Sequence, residues 1–139
     1  MICLFIVATA VAQKKVSHRA VSNSLASSIK RGQLVYNQHC LSCHQVDGGG
    51  VPNMNPPLIK TSYILGDRIR LINVVLNGFS QNVDIDGESY SNNMPAHNFL
   101  KDQEIADVLT YVRNSFTNKA APVSVTLVKL VRAKNKIKT

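Results

Sequence analysis

Tryptophan is absent from these 139 residues, and cysteine occurs only three times, proline five times and phenylalanine and tyrosine four times each. So few cysteines exclude a disulfide-dense scaffold. The mixed composition and the lack of internal repeats exclude a low-complexity or array protein. No carboxylate pair or serine triad stands out as a hydrolytic site. Gly48-Gly49-Gly50 lacks the lysine and the strand-to-helix setting of a phosphate cradle, so it reads as flexible chain. What remains is a chain of one domain's length with 45% hydrophobic residues, which implies one small core.

The segment MICLFIVATAVA, residues 1–12, is apolar but far short of the roughly 20 residues that span a bilayer. Ala10-Val11-Ala12 supplies the small-x-small cleavage pattern of a secretory signal. Residues 1–12 are therefore expected to be a signal peptide, and the protein periplasmic or otherwise exported. The basic start of such a signal is missing, and a buried N-terminal strand or helix is the alternative. Residues 13–27, with Lys14, Lys15 and several serines, read as a linker. Cys3 falls inside the leader and lacks the small residues that precede a lipidated cysteine, leaving Cys40 and Cys43 in the mature chain.

Those two thiols stand in the pentapeptide Cys40-Leu41-Ser42-Cys43-His44. Tetrahedral zinc needs four ligands, and no further cysteine is left; His18, His39 and His97 fit no zinc spacing. A thiol redox pair has the same C-x-x-C spacing but calls for a βαβ setting, of which the sequence shows no sign. The third reading is attachment of a c-type haem. Two thiols one helical turn apart add to the vinyl groups, and the adjacent imidazole reaches the iron from one face.

A histidine-ligated iron has a second face to fill, and its occupant decides between electron transfer and small-molecule chemistry. Met94, in Ser91-Asn92-Asn93-Met94-Pro95-Ala96-His97, lies fifty residues after His44, enough chain to pass round a haem edge and return. Thioether sulfur favours ferrous iron, and Pro95 stiffens the loop behind it. Met54, ten residues from His44, is the competing methionine, and His97 the competing imidazole.

Helix signals surround these residues. Ser27 or Ser28 is placed to cap a helix running to Cys40, with Gly32 and Tyr36 on one face. Asp67 caps a second helix carrying Ile69, Ile72, Val75 and Leu76, stopped at Asn77-Gly78. Residues 79–90, with Asp86-Gly87, read as a loop or short hairpin. A last helix starts near Lys101, a poor cap that Asp102 is placed to replace. It aligns Ile105, Val108, Leu109, Val112 and Phe116 in one stripe, with Arg113 near its end. The expected fold is all-α, three main helices and long loops around a cofactor.

Four separated motifs, GQLVYNQHCLSCH, NPPL, NNMP and EIADVLTYV, together resemble a small bacterial class I cytochrome c across Ser28 to Phe116. The resemblance implies one covalently bound haem c with its iron, in a domain at residues 28–117. The tethers would be Cys40 and Cys43, and the axial ligands His44 and Met94. It further implies that Pro56 offers its carbonyl to the second ring nitrogen of His44, that Leu58 packs on the haem, and that Gly32 and Tyr36 cross Val108 and Tyr111. The function it implies is one-electron transfer rather than enzymatic turnover. Two other readings stand beside it: a haem-bearing electron-entry subunit of a larger respiratory enzyme, and an open-site haem with peroxidase-like or gas-binding activity.

The formal charge of +8 is misleading as a guide to partners. Lys30 to Thr117 holds seven basic and eight acidic residues, and the excess lies in three basic residues before that span and six after it. A basic ring around a haem edge is therefore not expected. The partners implied are redox proteins, a dehydrogenase or reductase as donor and an oxidase or reductase as acceptor, meeting a monomer. Nucleic acid is excluded for want of a recognition motif. The tail, residues 118–139, carries an apolar stretch and five cations in its last eleven residues. It is either an amphipathic helix docking on the domain, on an anionic membrane surface or on an acidic partner, or a solvated terminus.

Overall fold

Two helices that approach at a glycine organise the molecule. In a computed structural model that describes residues 18–80 and 83–137, α1 (His18–His39) packs along α5 (Asp102–Asn114) as the most extensive helix pair. A Cβ on Gly32 would stand 2.0 Å from the Asp107 carbonyl oxygen and 2.7 Å from the Tyr111 Cβ, so only glycine permits this approach. Tyr36, 1% exposed, stacks beside it on Tyr111, with ring centroids 5.4 Å apart. The expected crossing is present, with the Asp107 backbone rather than Val108 lying against Gly32.

The expected signal peptide and the first residues of the expected linker lie outside the described residues. From His18 to Ser27, however, the chain is already helical, so α1 begins well before the expected cap. The stretch contains no proline or glycine to stop a helix. Ser28 does not cap: its hydroxyl lies 2.5 Å from Asp107 Oδ1 on α5. The Arg31 guanidinium also reaches Asp107, with Nε at 2.7 Å from Oδ2 and a second nitrogen at 2.9 Å from Oδ1. Burial alone would push the Asp107 pKa up, but the hydrogen bonds from Arg31, Ser28 and Gln103 outweigh it and hold the carboxyl below its ordinary value.

After the short turns α2 (Leu41–His44) and α3 (Ser62–Leu65), α4 (Arg68–Asn77) starts where Asp67 accepts from the Ile69 N–H at 2.8 Å and ends at left-handed Gly78. Its buried face is Leu71, Ile72, Val75 and Leu76. Ile69 is 47% exposed, because the first turn of α4 points its near end outward. The polar stretch that follows forms an antiparallel hairpin, β1 (Val83–Ile85) and β2 (Glu88–Tyr90), pairing Ile85 with Glu88. Asp86 and Gly87 both take positive φ, the turn that matches strand twist. This is the one sheet among the described residues.

α5 begins at Lys101, whose ammonium has no lone pair to cap with. Glu104 compensates by accepting from the Lys101 N–H at 2.7 Å. Ile105, Val108, Leu109 and Val112 face the core as expected. Phe116 is not on the helix. It lies in the reversal beyond it, with positive φ, and its ring packs on those of both Tyr36 and Tyr111 at 5.4 and 5.6 Å. Arg113 is buried rather than serving the exposed helix end: it donates to Ile64 O, to Gly66 O and to Ala121 O, tying α3 and the chain after α5 together.

The expected basic tail is part of the fold. α6 (Val125–Ile137) packs against α4 and α5, burying Val128 and Val131 at 0% and 4% exposure. Arg132 reaches Asp102 Oδ1 at 2.6 Å and the carbonyls of Asn98 and Leu100 at 2.8 and 2.6 Å. The apolar stripe faces the protein, so a solvated terminus is not what these residues form. No described helix is long and apolar enough to cross a membrane.

Candidate cofactor site

The end of α1 hands the chain directly to the cysteine motif. Cys40 N–H bonds back to Tyr36 O at 2.9 Å, and Cys40 O in turn accepts from His44 N–H at 2.9 Å. One helical turn thus carries Cys40, Cys43 and His44, and all three line a single cleft. Cys40 is partly buried, Cys43 exposed and His44 9% exposed.

His44 Nδ1 lies 3.0 Å from Pro56 O. A carbonyl only accepts, so Nδ1 carries the proton and Nε2 keeps its lone pair for a metal. Burial lowers the imidazole pKa, more than the Pro56 bond raises it, and the nearby His97 lowers it further, which favours the neutral ligating form. Of the two adjacent prolines, it is the first whose carbonyl is used. That carbonyl is held by the glycine loop, which is packed rather than slack. Gly50 has φ +66°, and a Cβ there would meet Asn55 O at 2.3 Å and Pro56 O at 2.7 Å. Leu58 lines the cleft, with its N–H on Gly48 O at 2.7 Å and its carbonyl on Asn118 Nδ2 at 2.7 Å.

Met94 enters the same cleft from the loop after the hairpin. Met94 and Phe79 exchange both main-chain hydrogen bonds, 3.1 Å from Met94 N to Phe79 O and 2.8 Å in the other direction. Gly78 makes that pairing possible: its φ is +74°, and a Cβ would lie 2.3 Å from Met94 O. Met54 is 46% exposed and does not line the cleft, whereas His97 does.

The walls between these donors are largely apolar, built from Leu71 and Val75 of α4, Leu109 and Val112 of α5, and Ile64 and Leu100, and among the described residues no Asp, Glu, Lys or Arg lines the cleft. Sequence reasoning missed Ile64, Leu71 and Asn118. The first two are ordinary apolar residues beside better-patterned ones. Asn118 is buried because it accepts from Lys60 N and donates to Leu58 O and Val112 O, a role with no local signal.

The rival chemistries fit this site poorly. Burial, and then the neighbouring Cys43, push the Cys40 thiol up to about 11, away from the low values of reactive redox thiols. The hairpin offers no βαβ setting. Among the described residues no group of three or more His, Cys, Asp and Glu side chains is arranged to hold a metal ion by itself. A macrocycle tethered by two thiols, with an imidazole beneath it and an uncharged wall round it, suits the donor set present.

Such a cleft defines the class: small helical electron-transfer proteins that carry haem on a C-x-x-C-H motif. The sequence profile of the family described as Cytochrome c matches residues 29–116, and the chain belongs to that family, as a class I protein with one covalently bound haem c. Two relatives are cytochromes c-552 of Thermus thermophilus. One is 36% identical over 96 residues, 66% of this chain and 64% of the relative; the other is 37% identical over 89 residues, 61% and 67%. A fructose dehydrogenase cytochrome subunit of Gluconobacter japonicus is 32% identical over 123 residues, covering 83% of this chain. The chain thus spans about two thirds of the c-552 relatives and 24% of the dehydrogenase subunit.

Proposed function

We propose that this cytochrome is a one-electron carrier whose haem is held by Cys40 and Cys43 and ligated by His44 and Met94. When bound, the haem would supply an iron able to accept and release one electron, with His44 and Met94 placed to hold it so that no substrate need reach the metal. The chain's own contribution is orientation and exclusion of water. Pro56 O sets the tautomer and ring plane of His44 and raises its basicity. The Phe79 pairing and Pro95 hold Met94 in the cleft, and the uncharged wall disfavours the extra positive charge of ferric iron.

The observation that carries this reading is the convergence of Cys40, Cys43, His44 and Met94 on one cleft, with Met54 outside it. Replacing Met94 by alanine in the holoprotein tests it. The sulfur-to-iron charge-transfer band is expected to vanish and the potential to fall, and an unchanged spectrum and potential would remove Met94 from the site.

A second reading is favoured by the dehydrogenase cytochrome subunits among the relatives: a fixed electron-entry module of a larger respiratory enzyme. In either role the partners are redox proteins, and neither role assigns the chain a substrate of its own. The exported location, the leader at residues 1–12 and a monomeric state belong to this proposal. With the apolar stripe of α6 turned inward, membrane contact would rest on its outward cations, Lys129 and Lys134.

A further inference from the structure

Three residues beyond Met94, the cleft receives a further imidazole, besides those of His44 and His39. The His97 backbone is pinned to α4, N–H to Val75 O at 2.8 Å, and its ring packs on Phe99 with centroids 5.7 Å apart. Nδ1 of that ring is the one buried side-chain polar atom, among the described residues, with no hydrogen-bond partner. The same ring lines the cleft that holds His44 and Met94, where among the described residues no Asp, Glu, Lys or Arg is present to pair with it. A buried imidazole nitrogen without a partner is costly, and the cofactor is the group left for it to meet.

We infer that His97 is a reserve axial ligand: when the Met94 sulfur leaves the iron, the His97 imidazole takes its position and the site stays six-coordinate. Both donors hang from one short stretch whose main chain is fixed at each of them, Met94 on Phe79 and His97 on Val75, so the exchange is a movement of the two side chains about those anchors. It replaces one neutral two-electron donor by another, the iron–sulfur bond breaking as an iron–nitrogen bond forms. No electron or proton is consumed. Imidazole is the stronger donor and favours ferric iron, so loss of the sulfur would lower the potential without opening the metal to small molecules.

This inference rests on the proposal that Met94 is the resident ligand, and the test separates the two. Holoprotein is made as wild type, Met94→Leu, His97→Leu and the double variant, with circular dichroism confirming helix content; leucine keeps the side-chain volume. Ferric optical and electron paramagnetic resonance spectra are recorded, then carbon monoxide is added to the reduced forms. Wild type and His97→Leu are expected to show the sulfur-to-iron band. Met94→Leu should lose it yet remain low-spin with a bis-imidazole signature and resist carbon monoxide. The double variant should lose the low-spin signal and bind carbon monoxide.

If Met94→Leu is already high-spin and binds carbon monoxide as the double variant does, the inference fails while the His/Met assignment stands. If Met94→Leu leaves the wild-type spectrum unchanged, the assignment itself fails and the inference with it. If the double variant stays low-spin and resists carbon monoxide as Met94→Leu does, another donor fills the position, and the ligand role of His97 is overturned.

Discussion

Gly78 and Met94 meet so closely that a methyl group on the first would lie 2.3 Å from the carbonyl of the second. The end of α4 and the loop carrying the proposed ligand are therefore one mechanical unit, closed by the Met94–Phe79 hydrogen bonds. Gly78→Ala must strain a residue at positive φ and extended ψ, at about 1–3 kcal/mol, and push the loop away. Expected is a weaker sulfur-to-iron band and a lower potential with helix content retained. A spectrum identical to wild type would show that this contact does not position Met94.

At the α1–α5 crossing the clash is with backbone and has nowhere to go. Gly32→Ala is expected to cost about 3 kcal/mol, the upper part of the overpacking range. Denaturant titration of the holoprotein checks this, and a loss below about 1 kcal/mol would contradict so tight a crossing.

Asp107 makes the same crossing acid-sensitive. Its pKa is lower in the folded chain than in the unfolded one, so its contribution is complete above the ordinary carboxylate pKa and is lost as pH falls through the folded value. Melting temperature should fall on acidification below about pH 4, and Asp107→Asn should flatten that decline while lowering stability at neutral pH. Parallel acid limbs in the two proteins would show that other carboxylates dominate.

The packing of α6 predicts that its inner face matters more than its cations. Val128→Ala removes part of a fully buried side chain and should cost about 2 kcal/mol, or roughly 5–10 °C in melting temperature. Lys129→Ala and Lys134→Ala, on the outer face, should leave melting unchanged within about 0.5 kcal/mol. Equal, negligible effects of all three would mean a tail that does not dock.

The features legible in sequence are those whose cause is local. Asp67 announces a helix because its side chain bonds a backbone N–H two residues on, and Asp86-Gly87 announces a tight turn because both residues tolerate positive φ. Cys40, Cys43 and His44 announce a site because one helical turn spaces them. Met94 is legible as a loop methionine far enough along the chain from His44 to return on the other face, whereas Pro56 is legible only through the family resemblance, since nothing near it in sequence says which ring its carbonyl meets. The early start of α1 escapes local reading, and sequence offers docking of α6 only as one of several alternatives, because Ser28 finds Asp107 seventy-nine residues away and Arg132 finds Asp102 thirty residues back. Arg113 and Asn118 look like surface residues for the same reason: the carbonyls that satisfy them belong to α3 and to the loop of Leu58.

The most direct test is the visible spectrum of the holoprotein, produced alongside a control cytochrome in a host that attaches haem, recorded oxidised, reduced, and reduced under carbon monoxide. The account predicts low-spin c-type bands that carbon monoxide leaves in place, as expected for an iron with both axial positions held. A Soret band that shifts under carbon monoxide, or a protein without haem while the control matures, would contradict it.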